Sequence, residues 1–254
     1  MLENMFVSNC PSIGSLKKAL SGLVLHFGGS GSSSLPSEVA WLSTTSRPDI
    51  TPPAVRVFVS HSSLKTMRAV YAPLGKRVTV EPLYFSEAEL DAPAFLSMMA
   101  VGSSDSVPLY VQTVLVRIII WFTQPRLIST QTILRKLGEN YTYEAFMIAL
   151  EDSKKDFNPA QQSGLKQRMS LLTSFLDKNQ KRRPTASRFA AGQLTIVDLT
   201  DPFIDPSCAC GLFEIITRLF VRSKVGTGKV LVVDEAHKVC ENILSNTTEL
   251  IIPL

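Results

Sequence analysis

Apolar residues recur along this chain with two periods, and their alternation predicts the order of elements. Leu23-Val24-Leu25-His26-Phe27 is a short, nearly unbroken apolar run, which predicts a buried strand leading into the loop 28–34 (GGSGSSS). After a polar, proline-bearing stretch at 43–53, Val55-Arg56-Val57-Phe58-Val59 predicts a second strand. Leu64, Met67, Val70, Tyr71 and Leu74 then fall at helical spacing, and Gly75 supplies the stop. Residues 77–85 predict a third strand. Ser86-Glu87-Ala88-Glu89 next has the form of a capping box, with Ser and Glu three apart to satisfy free backbone amides, and opens a helix running towards Met99.

Asn158-Pro159 pairs a capping side chain with a proline at the first helical position, and Leu165, Met169, Leu172, Phe175 and Leu176 mark one apolar face of the helix that follows. Residues 193–199 (QLTIVDL) predict a strand. Asp205-Pro206 repeats the cap-plus-proline device before a helix lined by Leu212, Phe213, Ile216, Leu219 and Phe220. Residues 230–233 form a four-residue apolar strand, expected to be central in its sheet and ending in Asp234-Glu235. Strand, helix and strand in that order make a parallel βαβ unit with a right-handed crossover. The fold class is therefore α/β, a partial doubly wound parallel sheet. Trp41, Phe95, Phe213 and Phe220 are expected in the core.

The 254 residues suffice for one large domain or two small ones, and 45% hydrophobic with 19% charged excludes wholesale disorder. The balance of 26 Lys+Arg against 22 Asp+Glu, a net +4, does not by itself demand a polyanionic partner. Cys10, Cys208, Cys210 and Cys240 are too few and too scattered for a disulfide framework, and no Cys or His pair at zinc spacing answers Cys208 and Cys210, so all four are expected to be reduced thiols. The opening MLENMFVSNC has no basic n-region or long apolar core. The most apolar stretch, 107–122, carries Gln112 and Arg117 and falls short of the roughly 20 residues that span a bilayer. These features predict an intracellular chain, cytoplasmic or nuclear, with no membrane partner.

The strongest chemical signal is Val230-Leu231-Val232-Val233-Asp234-Glu235-Ala236-His237. An acidic pair at the carboxyl end of a parallel strand sits where open α/β sheets bind ligands. One carboxylate there can hold a water ligand of Mg²⁺ bridging nucleotide phosphates, a role assigned to Asp234. The next can orient an attacking water, a role assigned to Glu235. His237 can sense the γ-phosphate or couple to a partner. His26 and His61 have no carboxylate or cysteine at useful spacing, so neither is expected to ligate a metal.

The run 192–238, GQLTIVDLTDPFIDPSCACGLFEIITRLF…KVLVVDEAHK, resembles the HerA/FtsK-type P-loop ATPases. In that family a strand ending in an Asp-Leu-Ser/Thr turn is followed by a long helix and then the Walker B strand with its acidic pair. Asp234 and Glu235 match the pair, and Asp198 matches the Asp of the preceding strand. Weaker similarity reaches back through 55–74 and 77–99, and to LVLHF, where His26 replaces the family's aspartate. The resemblance implies ATP and Mg²⁺ as cofactors, Asp198, Asp234 and His237 on the nucleotide side, Glu235 as the catalytic residue, and a homo-oligomer. The hhhhDEAH form is also that of motif II in the superfamily II helicases, but the QLTIVDL strand one crossover upstream favours the first family.

The phosphate cradle of such enzymes is missing. No G-x-x-x-x-G-K-[ST] occurs anywhere in the chain. Gly226-Thr227-Gly228-Lys229 precedes a strand instead of following one and is expected to be a turn, while the loop 28–34 has no lysine. Residues 1–254 are therefore expected to form a single incomplete P-loop NTPase-like domain: an α/β part at 1–100, a helical, basic, insert-like part at 101–191, and the βαβ part at 192–254. The expected product is a fragment or degenerate paralogue, weakly active or inactive alone, with strand 230–233 at an open sheet edge.

Between 153 and 188 stand nine Lys/Arg against two Asp, a local +7. Either this is a solvated face or it is a nucleic-acid contact centred on Lys181, Arg182 and Arg183, which would make the chain a non-enzymatic interaction module.

Residues 116–131 (VRIIIWFTQPRLISTQ) have no helical period. They are either a buried strand around 117–122 or the translation of a retained in-frame intron, since valine codons begin with GT, a glutamine codon can end in AG, and removal joins LYVQTVL to TILRKL as an amphipathic helix. At three nucleotides per residue the 16 residues make 48 nucleotides. Transcript reads across this junction are expected to include a class lacking those 48. Their absence at good coverage leaves the strand.

Overall fold

Runs of Val, Ile and Leu with few charges pair most stably where both faces of a sheet are covered, and five such runs here form one parallel sheet. The computed structural model describes residues 5–7, 9–10, 14–28, 34–45, 50–90, 147, 151, 158–177 and 188–234. A two-residue antiparallel pair, β1 (Asn9–Cys10) and β2 (Gly14–Ser15), precedes the main strands β3 (Ser21–His26), β4 (Ala54–Val59), β5 (Val78–Pro82), β6 (Gln193–Asp198) and β7 (Lys229–Val233). Their spatial order is β5-β4-β6-β3-β7, every pairing parallel. Helices α1 (Leu64–Tyr71), α2 (Pro159–Ser174) and α3 (Pro206–Arg222) accompany the strands, with a 3-10 helix at Glu38–Ser43. The fold is α/β.

From β3 the chain crosses β6 to reach β4, and from β6 it crosses β3 in the opposite direction to reach β7. Right-handed crossovers leaving in opposite directions lie on opposite faces of a sheet, so the winding is double and reverses between β3 and β6. The apolar run by itself suggests a central strand, but 230–233 stands at an open sheet edge, as expected of a chain without the phosphate-loop strand: β7 pairs with β3 alone among the described residues, and Val230–Val233 are only half-buried. β7 is also not the neighbour of β6, because β3 lies between the two strands of the βαβ unit.

The chain divides into two compact units. The first, Met1–Leu83, Lys181–Ala209 and Ile216–Leu254, holds the whole sheet. On one face Val24, Val55, Val57, Val59, Leu194 and Ile196 pack with Met67 and Tyr71 of α1 and with Phe6. Each such side chain stabilises the fold by about 1.5–3 kcal/mol through burial. Gly75, at φ +80°, ends the 3-10 turn Ala72–Leu74 that continues α1, as the sequence predicts. Asp205 caps α3 by accepting from the Cys208 amide at 3.0 Å, and Pro206 takes the first turn. Gly226 makes the expected turn before β7.

The second unit is Tyr84–Gln180 with Cys210–Ile215. Its capping box forms, with Glu89 accepting from the Ser86 amide at 2.9 Å, but it caps a 3-10 turn, Glu87–Glu89, and residues 91–99 lie outside the described ones. The strand expected over 77–85 ends at Pro82, and Phe85 instead makes a single parallel bridge to Leu176. Among the described side chains of α2, Met169 and Leu172 are buried.

Three further expectations change. Trp41 is 54% exposed, whereas Phe213 and Phe220 are core and Phe95 is outside the described residues. Arg188 belongs to no solvated patch: it is buried, with its guanidinium 5.8 Å from the centre of the Phe58 ring. Cys208 keeps a reduced thiol, but Cys210 is in a disulfide whose other half is not among the described side chains. Residues 116–131 are also outside them.

Gly22 of β3 is required by close approach. A Cβ there would stand 2.4 Å from Phe6 Cζ and 2.7 Å from Leu194 Cδ1. Gly22→Val raises intrinsic strand propensity, yet the clash dominates, and stability is expected to fall by about 1–3 kcal/mol. A urea midpoint equal to that of the parent chain would refute this.

Candidate functional site

Parallel pairing brings three strand ends into one row. His26, the last residue of β3, pairs with Asp198, the last of β6, which in turn pairs with Val59 of β4. On the other side Val233 pairs with Leu25, and the Asp234 amide donates to the Leu25 carbonyl at 2.8 Å. His26 therefore stands between Asp198 and Asp234, at the point where the winding of the sheet reverses. Open α/β sheets bind ligands in the crevice at such a point.

Asp198 is fully buried. Its Oδ2 accepts from the Tyr71 hydroxyl at 2.7 Å and its Oδ1 from the Thr200 amide at 3.0 Å. The Tyr71 oxygen in turn accepts from the Ser37 amide at 3.1 Å. Burial first, and then the neighbouring Asp198 charge, push the Tyr71 phenol well above its ordinary range, so it stays protonated and acts as the donor to Asp198.

Asp234 is more open, its side chain 32% exposed. Its Oδ2 receives His26 Nδ1 at 2.8 Å and, through a long contact of 3.4 Å, the Ser37 hydroxyl. An ionised carboxylate only accepts, so the proton of this bond sits on Nδ1. The ring of contacts closes at Gly28, whose amide donates to Thr200 Oγ1 at 3.0 Å. A Cβ on Gly28 would lie 3.0 Å from both His26 Nε2 and Thr200 Oγ1, so a side chain at this position would press on both. A second polar knot adjoins the first: buried Asp201 accepts from the Ser60 and Ser62 hydroxyls through Oδ2 and from the Phe203 amide at 2.8 Å through Oδ1. It fixes the turn after β6 and leaves Phe203 80% exposed.

Among the site residues expected from sequence, the structure brings Asp198 and Asp234 to the same end of the sheet. Asp198 has its oxygens engaged by protein donors and faces the interior, so its observed work is to hold Tyr71 and Thr200. Glu235, His237, Lys181, Arg182 and Arg183 lie outside the described residues. Sequence reasoning passed over Ser37, Tyr71 and Thr200. Thr200 was legible beside Asp198 in the DLTD run, whereas Tyr71 gave only an apolar signal on a helical face. His26 was set aside for want of a nearby carboxylate in sequence, and its carboxylate stands 208 positions away.

The donor set suits a hard cation better than an anion. Oδ1 of Asp234 has no hydrogen-bond partner among the described residues, and Ser37 Oγ adds a second oxygen. This fits Mg²⁺ held through a water ligand on one carboxylate, the rest of its shell being ligand oxygens and water. Among the described residues no group of three or more His, Cys, Asp or Glu could hold a metal by itself. Among the described residues no Lys or Arg takes part in the network of Asp198 and Asp234, so with these groups alone a bare phosphate would meet carboxylates. Among the described residues no helix is long and apolar enough to cross a membrane. No family model matches the chain, and no curated protein or solved structure matches it either.

The two aspartates are expected to differ sharply on truncation. Asp198→Ala leaves the Tyr71 hydroxyl and the Thr200 amide buried without an acceptor, a cost of about 2–4 kcal/mol, whereas Asp234→Ala at its half-open position costs ~1 kcal/mol or less. Equal losses in chemical denaturation would contradict this account.

Proposed function

We propose that the chain carries the acidic half of a nucleotide site of the HerA/FtsK type, in reduced form. Asp234 holds a water ligand of a Mg²⁺–ATP complex, Glu235 follows it as the residue that orients water, and His237 lies within reach of the terminal phosphate. The observation that carries this reading is the position of Asp234, at the carboxyl end of a parallel strand beside the reversal of the winding, with its side chain partly exposed and Oδ1 without a hydrogen-bond partner among the described residues. Asp198 supports the site from inside.

The sequence offers no phosphate-cradling motif, so most of the affinity and nearly all of the rate enhancement of a complete P-loop enzyme are missing. Binding is accordingly weak and dependent on Mg²⁺, because the cation must neutralise the phosphates that Asp234 would otherwise repel. Hydrolysis by the isolated chain is at the edge of detection.

Equilibrium titration with a fluorescent ATP analogue tests this directly. Saturable binding is expected with Mg²⁺ and none with EDTA, and Asp234→Ala should weaken it about tenfold, equivalent to ~1.4 kcal/mol. A folded, soluble sample that binds no nucleotide, or that binds equally well without Asp234, would rule the proposal out.

A further inference from the structure

We infer that Tyr71 is a positioning residue for Asp234, acting through Ser37. The inference rests on the reading of Asp234 as the ligand-facing carboxylate, but its geometry stands apart from any nucleotide. The Tyr71 ring is buried against the sheet, and its hydroxyl is committed on both sides, donating to Asp198 and accepting from the Ser37 amide. That second bond sets the backbone of Ser37 where the 3-10 helix Glu38–Ser43 begins. The Ser37 hydroxyl then reaches Asp234 Oδ2 from one side while His26 Nδ1 reaches it from the other.

Without Ser37, the Asp234 carboxylate is anchored at one oxygen by a single side-chain donor and is free to swing about its χ2, a broad torsion. With Ser37 in place, Oδ2 has two donors, His26 Nδ1 at 2.8 Å and the longer Ser37 contact at 3.4 Å, which restrict that swing. Tyr71 thus links the end of β6 to the end of β7, although the two strands are not neighbours. A ligand that pulls on Asp234 is felt at Asp198 through three hydrogen bonds.

The reporter is His26, whose tautomer depends on a well-placed Asp234. Nitrogen-15 NMR of the imidazole in the full chain, without nucleotide and at a pH where the ring is neutral, reads it. The parent chain is expected to show Nδ1–H as the dominant form. Tyr71→Phe keeps the buried ring and removes only the hydroxyl, and Ser37→Ala removes the last link; both are expected to shift His26 towards a mixture of tautomers. Gly22→Val, destabilised at the far end of the sheet, should leave the tautomer unchanged. An unaltered His26 signal in both Tyr71→Phe and Ser37→Ala would overturn the inference. So would an equal change in Gly22→Val, or a mixed tautomer in the parent chain. Since no nucleotide is present, these outcomes leave the proposal of ATP binding to be decided by its own titration.

Discussion

A carboxylate taken wholly out of water must be given donors by the protein or lose its charge, and Asp198 is the residue on which this demand falls. Its answer organises the carboxyl end of the sheet. One oxygen needs the amide of Thr200, which sets the turn after β6. The other needs the hydroxyl of Tyr71, which sets how far α1 reaches along the sheet. Tyr71 can meet the demand only as a neutral phenol, and its burial keeps it so. The remaining polar groups of this end are arranged around that pair: Ser37 on the tyrosine oxygen, Gly28 on Thr200, and Asp201 with its serines one turn further on.

The same end of the sheet is where the chain reverses its direction of winding, and the coincidence has a physical origin. At a reversal the two connections depart to opposite faces, which can leave a crevice between them at the strand ends. Polar groups there can be partly wet, which an unbroken apolar core would not tolerate. Asp234 uses this opening and Asp198 does not. Two aspartates at the ends of strands separated only by β3 therefore have different surroundings, one buried and serving the interior, the other partly exposed.

Much of the framework was legible in the sequence because it depends on local signals. The apolar runs around Leu23, Val55 and Ile196 name their strands, Asp205-Pro206 names the start of α3, Gly75 names the end of the α1 segment, and Ser86 with Glu89 names a cap. What local signals cannot give is lateral order. Val230–Val233 looks like a central strand because four apolar residues in a row are compatible with burial on both faces, yet its neighbour on one side is β3 and the described residues place none on the other. Half of the candidate site was hidden for the same reason. His26 and Asp234 are 208 residues apart, and no spacing rule relates them. Tyr71 falls on an apolar stripe and contributes to the core like any aromatic, so its hydroxyl becomes informative only once Asp198 is seen beneath it.

The last strand also shows how an edge position can be made specific. A strand held on one side only is free to slip by one residue, and a slip turns every side chain to the opposite face. In β7 such a slip would bring Val233 level with His26 and carry Asp234 away from its partners. Polar contacts oppose it at both ends. The Lys229 ammonium is bound to the Val221 and Ser223 carbonyls at 2.8 and 2.5 Å, gripping the end of α3, and Asp234 is held by His26 at the other end. The contacts of Lys229 and Asp234 at the two ends of the strand thus favour the observed register and, with it, the position of the Asp234 carboxylate.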